Sequence, residues 1–176
     1  MVRLRKIKLE SKSCKAQIFG MSFQMIFSIL LIIFFISTAF IAIKFFLEIQ
    51  RKSQIGFFLT DLQNEVDQTW KGQESSFYFN NTLPSGIDYV CFLNLTAEAD
   101  SPDPISNEVH EYARFSGRSY DVNLVLWPIT GAGDLSFKTI EHIQAPTTNP
   151  YCIEVKRGKI SIKIDKSFDE AHPRVS

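Results

Sequence analysis

MSFQMIFSILLIIFFISTAFIAI, residues 21–43, decides the fold. The stretch holds no charged residue. An α-helix rises ~1.5 Å per residue, and ~20 apolar residues cross a bilayer core. The run therefore predicts a membrane-spanning helix over residues 21–46, with the bilayer as its first partner. It exceeds the ~7–15 apolar residues of a secretory signal core. Ala39 and Ala42 do not have the spacing of a small-x-small cleavage site, so the run is expected to stay in the protein.

The flanks predict orientation. Residues 1–20 carry Arg3, Arg5, Lys6, Lys8, Lys12 and Lys15 against the single acid Glu10. On the far side lie Lys44, Arg51 and Lys52, offset by Glu48. Short flanks rich in Lys and Arg stay cytoplasmic. Residues 1–20 read as a basic cytoplasmic leader, and the chain beyond about residue 45 as extracytoplasmic. The formal net charge of +0 hides this asymmetry, because residues 48–176 hold 12 basic and 18 acidic side chains. An acidic outer part excludes a nucleic-acid binder, which needs a basic face.

Helical periodicity continues past the apolar run. Ile55, Leu59, Leu62, Val66 and Trp70 recur every three or four residues, with Phe58 beside them. Asp61, Gln63, Asn64, Asp67 and Gln68 fill the other face. That pattern predicts an amphipathic helix over residues 47–72. No proline occurs before Pro84, Gly72 is a C-terminal stop, and Gly56 is the candidate bend.

The junction adds a resemblance. Lys15-Ala16-Gln17 is followed by Gly20-Met21-Ser22-Phe23-Gln24, with Ile18 and Phe19 between. With the basic leader, the uninterrupted helix and the β-rich remainder, this resembles archaeal type IV pilin-like proteins with a class III signal peptide. The resemblance covers residues 12–70. It implies a leader removed by a prepilin-type peptidase, an apolar helix that is retained, and self-association through that helix. Two registers place the cut after Ala16 or after Gly20. The candidate cleavage region is thus Ala16, Gln17, Gly20 and Met21. A bitopic anchor with a helical stalk is the plainer reading of the same residues.

Residues 73–166 read as strands. Phe77, Tyr78 and Phe79 mark the first, and residues 87–95 are apolar on both faces, as in a central strand. Residues 122–127 form another, stopped by Pro128, and residues 135–143 a weaker one. Tyr151, Ile153 and Val155 alternate with polar neighbours, Arg157-Gly158 turns the chain, and Ile160, Ile162 and Ile164 alternate again. That is the pattern of a hairpin with one wet face. Residues 96–119 interrupt the strands with an acidic, proline-bearing loop. Ile105, Val109, Tyr112 and Ala113 are then spaced for a short helix. This insertion is the expected place for variable surface function, against the plain reading of a solvated connection. Residues 167–176 are a tail. The predicted fold class is α+β: a long N-terminal helix, half transmembrane and half amphipathic, packed on a C-terminal antiparallel β-sheet or small sandwich.

Cys91 and Cys152 fall on the oxidising side and are candidates for a disulfide; two small buried strand residues is the rival reading. Cys152 points away from the Ile153 and Val155 face, so a bridge needs that second face covered too. Cys14 lies in the leader, where it is either lost with it or a free thiol. Asn80-Asn81-Thr82 and Asn94-Leu95-Thr96 are glycosylation sequons, making Asn80 and Asn94 acceptor candidates. His110, His142 and His172 lack metal-ligand spacing, and there is neither a phosphate loop nor a nucleophile elbow. The sequence therefore predicts no enzyme, no cofactor and no metal. It predicts a single-pass surface protein, either a pilin-like subunit or an anchored binding module of the envelope.

Overall fold

The computed structural model describes residues 15–116, 121–144 and 146–176, with side chains of the first helix from Phe23 onward. The fold is α+β. It divides into two units, Met1–Leu47 and Glu48–Ser176. The first described element is α1 (Lys15–Lys71), which contains both the apolar run and the amphipathic stretch. Gly56 lies within it, and the Gly56 carbonyl accepts a hydrogen bond from the Thr60 hydroxyl at 2.9 Å. The remaining elements are β1 (Ser75–Thr82), β2 (Tyr89–Phe92), α2 (Pro104–Phe115), β3 (Leu124–Trp127), α3 (Ile129–Ala132), β4 (Phe137–Lys138), β5 (Tyr151–Glu154), β6 (Lys159–Lys166) and β7 (Arg174–Val175).

The strands form two antiparallel sheets, ordered β1-β6-β7 and β4-β3-β2-β5. Alternation sets their faces. Phe79 on β1 and Ile160, Ile162 and Ile164 on β6 point inward, while Tyr78 and Ser161 face out. Much of the predicted stripe on α1 meets them: Ile55, Leu62 and Val66, with Phe58 beside them, are buried, while Leu59 and Trp70 are half-buried. Val90 and Phe92 of β2 and Leu124 and Leu126 of β3 complete this first core. The opposite face of β2 and β3 builds a second core from Cys91, Leu93 and Val125, roofed by Val109 and Ala113 of α2. β2 is thus a central strand with both faces covered, as its apolar run predicts.

Two expectations are corrected. The β5–β6 unit is not a hairpin within one sheet. β5 pairs with β2 and β6 with β1, and only a single bridge, Lys156 with Lys159, joins the two. Arg157-Gly158 turns as predicted, with φ of 54° and 73°. The turn, however, carries the chain from one sheet to the other. Secondly, residues 135–143 yield only the two-residue β4. Carboxamides supply the ladder partners instead. Asn123 brackets Ile140, accepting from its N–H and donating to its carbonyl, both at 2.8 Å. Gln63 does the same for Glu141 from α1, at 2.9 and 3.3 Å.

Helix ends follow from local chemistry. α1 stops at Lys71, where the Gly72 N–H donates to the Gln68 and Thr69 carbonyls. The buried Lys166 ammonium donates to the Trp70 and Gly72 carbonyls at 2.6 and 2.8 Å. A cation there also complements the negative end of the helix dipole. α2 starts on Asp103, whose carboxylate accepts from the Ser106 N–H, with Pro104 in the first turn. Gly131 permits a close approach, since a Cβ there would lie 1.8 Å from the Gly86 carbonyl oxygen.

Candidate functional site

The clearest functional feature is the surface of the apolar segment. From Phe23 to Leu47 every side chain of α1 is exposed. Among the described residues, this is the one helix long and apolar enough to cross a membrane, and it lies near the N-terminus. Its few hydroxyls are satisfied internally. Ser28 donates to the Gln24 carbonyl at 2.9 Å, Ser37 to Ile33 at 2.8 Å, and Thr38 to Phe34 and Phe35 at 3.1 and 3.0 Å. A polar group that bonds back to its own helix no longer needs water, which hydrocarbon cannot supply. Ala16, Gln17, Gly20 and Met21 belong to α1 by their backbone; their side chains lie outside the described residues, as do the basic leader over residues 1–14 and Cys14.

Cys91 and Cys152 form a disulfide. They are directly opposite in the β2–β5 register, with Cα atoms 4.0 Å apart. The neighbouring Val155 N–H donates to Asp88. Alternation along β5 therefore puts Cys152 at a non-hydrogen-bonded position, where side chains lie closest. The covered second face that the bridge requires is supplied by α2, from within the insertion. Residues 96–119 are thus neither a free loop nor a solvated connection in their helical part.

The insertion is pinned by a residue the sequence did not single out. Asn149 is buried. Its carboxamide accepts from the Asn94 N–H at 2.8 Å and donates to the Asn94 and Glu98 carbonyls at 2.9 and 3.0 Å. Its backbone carbonyl accepts from the Asp100 and Ser101 N–H groups. The only signal in the sequence is an Asn before Pro150, which reads as turn chemistry.

The sequons differ. Asn80 is exposed on β1, its amide donating to the Tyr78 carbonyl at 3.2 Å. Asn94 is half-buried, and its Oδ1 accepts from the Thr96 N–H and hydroxyl.

Two of the three histidines have partners among the described residues. His110 is buried on the inner face of α2, with Nε2–H donating to the Ala97 carbonyl at 3.1 Å. His142 stacks on Trp70 with ring centroids 3.8 Å apart, and its Nδ1 bonds Asp67 at 3.0 Å. That bond, aided by Gln63, holds the Asp67 carboxyl below its usual range. His172 is exposed. Among the described residues, no three His, Cys, Asp or Glu side chains converge on a metal position. No family model, curated protein or solved structure matches the chain.

One further surface stands out. Glu108, Glu111, Tyr112 and Phe115 lie at i, i+3, i+4 and i+7, along one face of α2. With Ile129 and Phe137 they line an open groove of about 620 Å³. Tyr112 meets Trp127 edge-on at 5.6 Å and stacks on Phe137 at 6.3 Å. Phe115 is 84% exposed, against 73% for Phe23, the most exposed large hydrophobic side chain of the apolar segment.

Proposed function

We propose that this protein is a pilin-like, membrane-anchored surface protein. Its N-terminus is cytoplasmic, its apolar helix is retained, and its disulfide-bonded α+β domain lies outside the cell. The observation that carries the reading is the exposed apolar face of residues 23–47, leading along α1 into a domain closed by Cys91–Cys152. The bond favours an oxidising compartment, and the basic leader favours a cytoplasmic N-terminus. The junction over residues 15–24 supports processing by a prepilin-type peptidase and self-association through the helix. Mass spectrometry of the membrane fraction is expected to find a mature N-terminus at Gln17 or Met21. Intact Met1 in that fraction would overturn the processed-pilin reading.

The alternative is an anchored module of the envelope that does not polymerise. It is favoured by the completeness of the domain, whose described buried side-chain polar atoms all have partners within one chain. In-cell crosslinking separates the two: a ladder of multimers supports the subunit, a monomer the module.

A further inference from the structure

The α2 groove is charged in one sense. Glu108 and Glu111 stand exposed beside Tyr112 and Phe115, and neither joins an ion pair among the described residues. Carboxylates next to aromatic faces suit a planar cation with an apolar stem, because the ring face attracts the charge and the acids complement it.

The same domain carries a matching feature. The turn between β5 and β6 presents Lys156, Arg157 and Lys159, all exposed. Lys156 reaches Glu154 at 3.4 Å; Arg157 and Lys159 join no ion pair among the described residues. The turn is held out firmly. Its Gly158 carbonyl accepts from the Leu83 N–H at 2.9 Å, and Lys156 and Lys159 bridge each other. A fixed loop loses little freedom on docking. The groove borders β3 and β4, whereas the turn leaves β5, at the other end of the β4-β3-β2-β5 order. Within one copy β2 lies between them, its Tyr89 paired with Trp127 of β3 on one side and with Glu154 of β5 on the other. Complementary patches at opposite edges of one body make head-to-tail contacts between copies.

We propose that the domain self-associates head to tail, the basic Lys156–Lys159 turn of one copy docking into the Glu108/Glu111/Tyr112/Phe115 groove of the next. Arg157 lies over the Tyr112 and Phe115 rings and pairs with the carboxylates. One loop in one groove is a small, weak interface; it gains strength where anchoring holds many copies side by side. The contact requires neither leader cleavage nor packing between apolar helices, so it stands or falls separately from the subunit reading.

The test uses the full chain, one copy per lipid nanodisc, so that apolar helices cannot meet. Sedimentation is expected to show discs pairing as concentration rises to about 0.5 mM, and less so as salt rises. Reversing either patch alone, in E108K/E111K or R157E/K159E, is expected to weaken pairing about tenfold. Mixing the two reversed proteins is expected to restore it. Discs that stay single over this range overturn the proposal. So does pairing that survives both reversals, or a mixture that fails to regain it while both proteins keep the wild-type unfolding midpoint. If a reversed protein misfolds, the neutral variants E108Q/E111Q and R157Q/K159Q decide: pairing unchanged in both overturns the proposal, and pairing weakened in both supports it.

Discussion

Asn149 shows how much one side chain can hold. Three of its bonds go to backbone groups of Asn94 and Glu98, and its own carbonyl takes two more. Asn149→Ala keeps the backbone carbonyl but leaves the Asn94 N–H and the Asn94 and Glu98 carbonyls without their carboxamide partner, and an unmade hydrogen bond in a part-buried site costs more than a made one contributes. The expected loss is about 2–3 kcal/mol, read as a lower urea midpoint of the full chain in detergent. Composition gives no hint of this role, because the five partner groups come from residues about 50 positions away and are brought together by the fold. His142 and Trp70 teach the same point. Trp70 reads alone as a residue of the amphipathic stripe and His142 as a packed or surface histidine; stacked together, they fix the segment after Ile140 to the end of α1.

At the scale of elements, one carboxylate adds side-chain ties to the ladders that join β6 to β1 and β7. Asp165 accepts from Ser76 on β1 and from Ser176 beyond β7, and pairs with Lys163 at 2.9 Å. Burial acts to raise its pKa, but the bonds from Ser176 and Ser76 and the Lys163 ammonium outweigh it and hold the group at about 2. A depressed carboxylate stabilises the fold above its unfolded value of 3.8 and loses that contribution as pH falls towards 2. Unfolding followed between pH 5 and 2 should show stability falling by about 2 kcal/mol from this group, and Asp165→Asn should flatten that part of the profile. The strands themselves were legible where apolar residues alternate, as on β6, or run together, as on β2. They were not legible over residues 135–143, because Asn123 and Gln63 carboxamides took the place of strand partners. A side-chain amide bonds a backbone as another strand would, and it leaves no periodic trace.

Over the whole molecule, the Cys91–Cys152 bond closes a loop with a sequence separation of 61, which takes in α2, β3 and β4. Cross-linking a loop of that length restricts the unfolded chain by about 4 kcal/mol in the chain-entropy model. Unfolding of the full chain in detergent, with and without reductant, is expected to differ by that order, and Cys152→Ser should reproduce the reduced behaviour without reductant. A midpoint indifferent to reductant would show that the thiols are not joined in the native protein. By itself the sequence determined the long helix, its division into an apolar and an amphipathic half, and the α+β class. Those properties are carried by local period and by run length, which need no knowledge of distant residues. Tertiary structure alone decided the splitting of the β5–β6 unit between two sheets and the roofing of the second sheet face by α2. It also decided the completion of the bridge beneath that roof. Each depends on which surfaces meet across tens of residues, and burial rewards the meeting only once the chain has folded.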